Sequence, residues 1–397
     1  MSSNPHTTEY AELKWLLAQQ GLFHRQPLYY TGKVLQNLSG LVLALGLLLT
    51  TPLFWVQMLN AAFLACVFTQ MAFMGHDAAH RQVFQSSRKT DVFGLLCTLL
   101  TAISYSWWTE KHHRHHRHPN HLERDPDVQL RFLAVADEQC HPAPRVRRMI
   151  VKHQAWWFVP MLLLQGFAIR LHSIAFLLDK PAKFPVVEPL GLVIHFGLYL
   201  GGVFSCLGLW EGMAFILVHQ MLFGLYMGAI FAPNHTGMLV LRGDSPLDRL
   251  RQQVLTARNV RAHPVTDLWF GGLNYQIEHH LFPSMPRNQL KAAQATVRAF
   301  CQARTIPYHE TSVWQAYRDI LRHLHRVSAP LRQADRDESS HTCKPCRREG
   351  MVNTSSPSCQ QPPQEHARRW KPQEKAARRL EATQHRAHAK SSMSTPC

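Results

Sequence analysis

Three short groups of histidines have spacings that place imidazoles together on single helix faces. His76 and His80 are four residues apart, so a helix through Gly75–His80 presents both on one side. His112, His115 and His116 stand at i, i+3 and i+4 and share a face, while His113 points elsewhere. Gln276, His279 and His280 repeat that spacing, with glutamine in the leading place. Neutral imidazole is a ligand for iron, zinc, copper and nickel. Seven imidazoles are too many for one tetrahedral zinc, but they suffice for two metal ions. Each group stands beside an apolar segment, so the chemistry expected is redox work by a dinuclear centre on a lipid-soluble substrate.

The elements that position these groups are read from the apolar runs. Val34–Thr51 and Leu53–Gly75 flank Pro52 and read as a helical hairpin, one bilayer crossing needing about 20 apolar residues. Pro189–Trp210 and Gly212–Ala232 form a second back-to-back pair. The shorter run Val92–Trp108, and Trp156–Leu178 with its Arg170 and His172, fit spans less well. Parity decides between the readings. The histidine groups must meet, so they share one side of the membrane. That holds if the two hairpins make four crossings and the two other runs are interfacial or re-entrant. Lys and Arg crowd the intervening loops, which marks that side as cytoplasmic. The expected fold is an all-α integral membrane protein. Four transmembrane helices in two hairpins, with interfacial helices, would support a cytosolic helical cap carrying the metal site.

The spacings H-x-x-x-H, H-x-x-H-H and Q-x-x-H-H resemble the three histidine boxes of the membrane fatty-acid desaturases. The flanking text strengthens the likeness: GHDAAH at Gly75–His80, KHHRHHRHPN at Lys111–Asn120 and FGGLNYQIEHHLFPSMPR at Phe270–Arg287. The last is similar to the signature of the acyl-CoA and front-end types. The resemblance covers roughly residues 22–326. It implies that His76, His80, His112, His115, His116, His279 and His280 bind two iron ions. It adds His235, which follows the fourth span. Gln276 would ligate weakly or act behind the ligands, and Asp77, Asn234, Asn274 and Glu278 would lie behind them too, with Asp77, Asn274 and Glu278 orienting imidazole N–H groups. His113 stands where many relatives have asparagine. The implied reaction is the O2-dependent introduction of a cis double bond into an acyl-CoA or acyl-lipid in the membrane. No His-Pro-Gly-Gly haem-binding module occurs, so electrons are expected from a separate protein, a cytochrome b5 or a ferredoxin with its reductase. A hydroxylase on the same scaffold is the nearest rival. A histidine-rich metal transporter is the rival from another class, but it would place its ligands within the spans near the midplane.

Composition agrees with this organisation. Charged residues make up 17% of the 397, below the roughly 25% usual in soluble domains. Of the net charge of +17, the segment after Val327 carries +6, from 13 Lys and Arg against 7 Asp and Glu. No aromatic-interleaved basic module suggests nucleic acid. Residues 1–33 are expected to be an N-terminal interfacial segment with an amphipathic helix in Thr7–Phe23, residues 34–327 the membrane domain, and residues 328–397 a disordered basic tail. Cys343 and Cys346 form a lone Cys-x-x-Cys pair; a four-cysteine metal site needs a second one. Polar Met1–Glu12 and short Leu13–Leu17 do not make a cleavable signal, so membrane entry is expected through the internal spans. His195 and His219 are expected to be hydrogen-bonded within the bundle, and Trp107, Trp108 and Trp269 to line an acyl channel or, the favoured reading, to sit in an interfacial belt.

Overall fold

In the computed structural model, residues 8–140 and 144–333 are described. The tail expected at 328–397, with Cys343 and Cys346, lies almost wholly outside them. Helix α1 (Glu9–Gln19) is capped by the Thr8 side chain. Helix α2 (Pro27–Thr50) has proline in its first turn, where the missing N–H costs nothing. It starts seven residues before the apolar run does, so the chain shows no break at residue 34. Helix α3 (Phe54–Ala79) doubles back along it. The Gln57 amide closes the hairpin by donating to the carbonyls of Leu47 at 2.8 Å and Thr51 at 2.6 Å, at the end of α2 where carbonyls run out of helical partners; that of Leu47 also accepts from the Thr51 amide.

The run Val92–Trp108 divides into helix α4 (Ser87–Leu99) and helix α5 (Tyr105–Arg117), with a turn between. Thirteen residues each are too few to span a bilayer. Helix α6 (Arg145–Lys152) leads into helix α7 (Gln154–Asp179). Helix α8 (Val187–His235) is 49 residues long and breaks at Gly208, whose φ of 73° suits glycine and few other residues. Its two arms fold back on one another: Tyr199 Oη lies 2.7 Å from His219 Nδ1, twenty residues away in the chain. The arms are the second hairpin that the sequence suggests.

Helices α2, α3, α7 and α8 are each long and apolar enough to cross a membrane. Large apolar side chains such as Val42, Leu49, Val193 and Leu198 stand exposed on α2 and α8, as lipid contact requires. Helix α7 is as long and apolar as α2 and α3, yet both its ends are tied to the histidine-bearing side. Gln154 donates to the Ala134 and Leu324 carbonyls at 3.0 and 2.9 Å. At the other end, Ser173 accepts from the Ser104 amide at 3.1 Å, beside the start of α5. Parity agrees: His80 and His235 meet in one site, so an even number of crossings lies between them, and the two arms of α8 supply it. Helix α7 therefore lies along the bundle, crossing α8 where Gly166 and Gly224 bring the backbones together.

The cap contains helices α9 (Arg249–Leu255), α10 (Pro264–Trp269), α11 (Gln276–Leu281), α12 (Leu290–Ala303) and α13 (Val313–Val327). A two-residue parallel pairing joins β1 (Asn259–Val260) to β2 (Glu310–Thr311). Helix α1 buries Leu13 and Leu17 in the cap core against residues including Val254, Leu281 and Val297 and leaves Trp15 exposed.

Candidate metal centre

Helix α3 ends by carrying His76 in its last turn and His80 just beyond it. Helix α5 brings His112, His115 and His116, and its start is fixed by a buried carboxylate. Glu188 accepts from Ser104 Oγ at 2.6 Å, from the Ser106 amide at 3.1 Å and from Ser106 Oγ at 2.5 Å. Anionic acceptors at a helix N-terminus are favoured by the unpaired amides there. Helix α11 brings Gln276, His279 and His280. It is held through the Ile277 amide, which donates to Asn259 Oδ1 at 2.8 Å.

These elements, with His235 at the end of α8, gather all eight expected histidines. Nitrogens of His76, His80, His112, His116 and His279 lie within 4.8 Å of one another, and so do those of His115, His235 and His280. All are buried except His235, which is half-buried. The pairs His76 Nε2–His279 Nε2 and His112 Nε2–His116 Nε2 face each other at 3.2 and 3.1 Å. Two imidazoles on one ion at 2.0–2.1 Å and near a right angle have their nitrogens about 3 Å apart, so this spacing fits shared ligation. His80 Nε2 and His280 Nε2 are buried without a protein partner, at a cost that a bound ion removes. The donor set fits two adjacent metal ions.

The other ring nitrogens are oriented by partners. His76 Nδ1 lies 3.1 Å from Asp77, which pairs with buried Arg287 at 3.1 Å. His115 Nδ1 lies 2.9 Å from Asp125 and 3.5 Å from Asp127. His235 Nδ1 donates to the Thr256 carbonyl at 3.0 Å, and His280 Nδ1 to Gln253 Oε1 at 3.0 Å. Gln276 Nε2 lies 3.0 Å from His235 Nε2, and its oxygen accepts from Asn234 at 3.1 Å. Burial, and then the neighbouring imidazoles, hold His80, His112, His116, His279 and His280 well below the usual histidine range. They are neutral and able to ligate. His115 differs: burial lowers it, but Asp125 and Asp127 outweigh that and raise it.

Two of the expected orienting residues do something else. Glu278 accepts from Asn259 and Tyr308, each at 2.7 Å, and burial pushes it up to about 7. Asn274 donates to Asp267 at 2.9 Å and to the Val260 carbonyl at 3.3 Å. Both hold the loop around α11, and neither is bonded to an imidazole. His113 turns away and lies 3.1 Å from the Ala79 carbonyl. Asp125, Asp127, Gln253 and Arg287 were not anticipated. The acidic pair shortly after the second histidine group was a usable signal; Gln253 and Arg287 offered none.

Trp108 is not in a belt. It is buried and stacks on His112 at 5.1 Å with planes 12° apart. Trp107 stacks on His172, and Trp269 on Tyr226. Below Trp108 an apolar cluster with Ala79, Phe68, Phe223 and Met227 continues into the bundle. His219 is bonded there to Tyr199, as expected.

The family model described as fatty acid desaturase matches residues 13–312. An acyl-lipid (9-3)-desaturase of Physcomitrium patens is 25% identical over 81% of this chain and 62% of its own length. The chain thus spans less than two thirds of that relative. A Delta(8)-fatty-acid desaturase of Euglena gracilis is 27% identical over 81% of this chain and 79% of its own. A Delta(5) fatty acid desaturase of Caenorhabditis elegans is 27% identical over 81% and 75%.

Proposed function

The chain belongs to the fatty acid desaturase family, a family of oxidoreductases, and from that premise we propose that it introduces a cis double bond into the acyl chain of a membrane lipid or acyl-CoA. One observation carries the reading: two sets of buried imidazoles stand side by side with unpartnered nitrogens. Two iron ions would supply the oxidising power, with O2, two electrons and two protons becoming water as two vicinal hydrogens leave the chain. Unactivated methylenes demand such chemistry, because no side-chain acid or base can remove those hydrogens.

The protein's own part is geometry. His76, His80, His112, His116 and His279 would hold one ion. His115, His235 and His280 would hold the other, with Gln276 against His235. Asp77, Asp125, Gln253 and the Thr256 carbonyl fix the tautomers and aim the free nitrogens inward. Trp108 and the apolar cluster beneath it would receive the acyl chain and exclude water. The electrons would come from a separate donor, and the basic loops favour a cytoplasmic position for the cap.

Expression in a host of simple lipid content, with fatty acids profiled by chain length and double-bond position, tests the reading. A new cis alkene that disappears in His279→Ala is the expected result. A hydroxylated product, or no product from an iron-loaded protein supplied with a competent reductant, would overturn it.

A further inference from the structure

A groove of about 1190 Å³ opens on the cap where the start of α7, the chain just after α8, and α13 meet. Its floor is apolar, made by Ala155, Met238, Leu239 and Val240. Trp156, 80% exposed, forms a wall. Arg322 and Arg326 stand on its rim, exposed and one turn apart on the same face of α13. Exposed Asp137 also lines the groove, without an ion pair to either arginine, and two further charged residues of the lining are engaged. Arg242 is bonded to Glu138 at 2.8 Å, and Asp319 faces Arg258 at 3.7 Å and accepts from Gln315 at 2.6 Å. Among the described residues, no carboxylate lies within ion-pair distance of Arg322 or Arg326.

The groove's surroundings place it at the edge of the bilayer. Tryptophan at the start of an apolar helix is characteristic of the headgroup level. Helix α6, immediately before α7, exposes Val146 and Met149 among Arg145, Arg147, Arg148 and Lys152. A basic helix with exposed apolar residues favours the plane of an anionic membrane surface.

We propose that this groove binds an anionic phospholipid from the surrounding leaflet, its phosphate at Arg322 and Arg326 and the upper part of its acyl chains on the Ala155–Met238–Leu239 floor. The two parts of the groove select this occupant together. A zwitterionic lipid brings its own cation beside its phosphate, which two unpaired arginines disfavour. A soluble acidic partner has none for the apolar floor. The bound lipid would rest on the segment that follows His235. Leu239 in that segment offers its carbonyl to Asn120, whose amide also donates to the His235 carbonyl at 2.9 Å. Occupancy should therefore steady one side of the metal centre.

The test reads binding rather than turnover, so it stands whether or not the chain desaturates. The full chain in neutral detergent is titrated with short-chain phosphatidylglycerol, short-chain phosphatidylcholine or inorganic phosphate. The readouts are the thermal midpoint and the tryptophan fluorescence that is lost in Trp156→Phe. Saturable binding of phosphatidylglycerol alone is expected. The double variant Arg322→Gln/Arg326→Gln should weaken it about 30-fold, at roughly 1 kcal/mol per basic residue, while Arg322→Lys/Arg326→Lys keeps most of it. The lipid-free midpoint and metal content should match the unsubstituted protein in both variants. Equal binding of phosphatidylcholine, no loss in the glutamine variant, or full competition by inorganic phosphate or by soluble polyglutamate would each overturn the proposal.

Discussion

The imidazoles of His116 and His280 stack face to face at 4.2 Å with planes 16° apart. His116 belongs to the set of five and His280 to the set of three, so the two sets share a wall. Removing one side of that wall should unload one ion more than the other. His280→Ala is expected to lose about half of the bound iron, as removal of a ligand from one of two sites implies, and all desaturation. His113→Ala should keep its iron, because that ring faces the Ala79 carbonyl. Metal analysis of the purified variants reads both. Equal iron loss in the two would contradict the assignment.

The histidines that meet were legible in the sequence because a helix converts spacing directly into direction. His76 and His80, or His112 and His116, need only a helical turn to meet. Of their supports, those near in sequence left a signal, Asp77 beside His76 and the acidic pair after the second group; the others join distant parts of the chain. Gln253 reaches His280 from α9, and Arg287 reaches Asp77 from beyond α11. The carbonyl that orients His235 belongs to Thr256, and a backbone group leaves no trace in residue type. Glu278 and Asn274 misled for the opposite reason: closeness in sequence to His279 suggested contact with it, while the short helix turns them toward Asn259 and Asp267. The second hairpin was visible as two apolar runs, but its turn falls at Gly208. Helix α7 could not be told from a span by composition; its ends had to be located first.

Asp77 links His76 to the cap. Its carboxylate faces His76 Nδ1 and the Arg287 guanidinium, which also lies over the Phe73 ring at 4.9 Å. Arg287→Leu leaves a fully buried carboxylate without its counter-ion, and is expected to cost about 3–5 kcal/mol, read as a lowered thermal midpoint. Asp77→Asn removes the charge that supports His76. It should weaken metal affinity about 10–100-fold with a smaller loss of stability, since the amide still bonds to its neighbours. A competitive chelator titration separates these effects. The idea fails if Asp77→Asn holds metal as tightly as the native chain.

The crossing of α7 and α8 depends on two glycines. A Cβ at Gly166 would lie 2.2 Å from the Gln220 carbonyl oxygen, and one at Gly224 would lie 2.3 Å from the Gly166 amide nitrogen. Backbone cannot move aside as a side chain can, so the helices must separate. Gly166→Ala and Gly224→Ala should each cost about 1–3 kcal/mol or more. At Gly46 nothing lies within 4 Å of the added atom, so Gly46→Ala should be neutral or slightly stabilising. Thermal denaturation in detergent compares the three. A loss at Gly46 as large as at Gly166 would show that helix crowding is not the cause.

The metal-free protein should lose stability in mild acid. His80, His112, His116, His279 and His280 are held below the ordinary imidazole range by burial and by one another. A group with a depressed folded-state pKa gives its full support above the unfolded value, about 6.5, and loses it progressively as the pH falls from there. Glu278 runs the other way. Burial raises it to about 7, so its support is complete near pH 4 and is lost as the pH rises through about 7. His115, raised by its two aspartates, adds to that opposition. Five groups outweigh two, so the thermal midpoint should rise from about pH 5 to about pH 7. Glu278→Gln removes part of the opposition while keeping an acceptor for Asn259 and Tyr308, so its midpoint should climb more steeply over that interval. Iron retention should fall in the same acid range, because protons compete for the same nitrogens. A flat profile in the native protein, or a shallower one in Glu278→Gln, would show that the buried histidines do not carry the pH dependence.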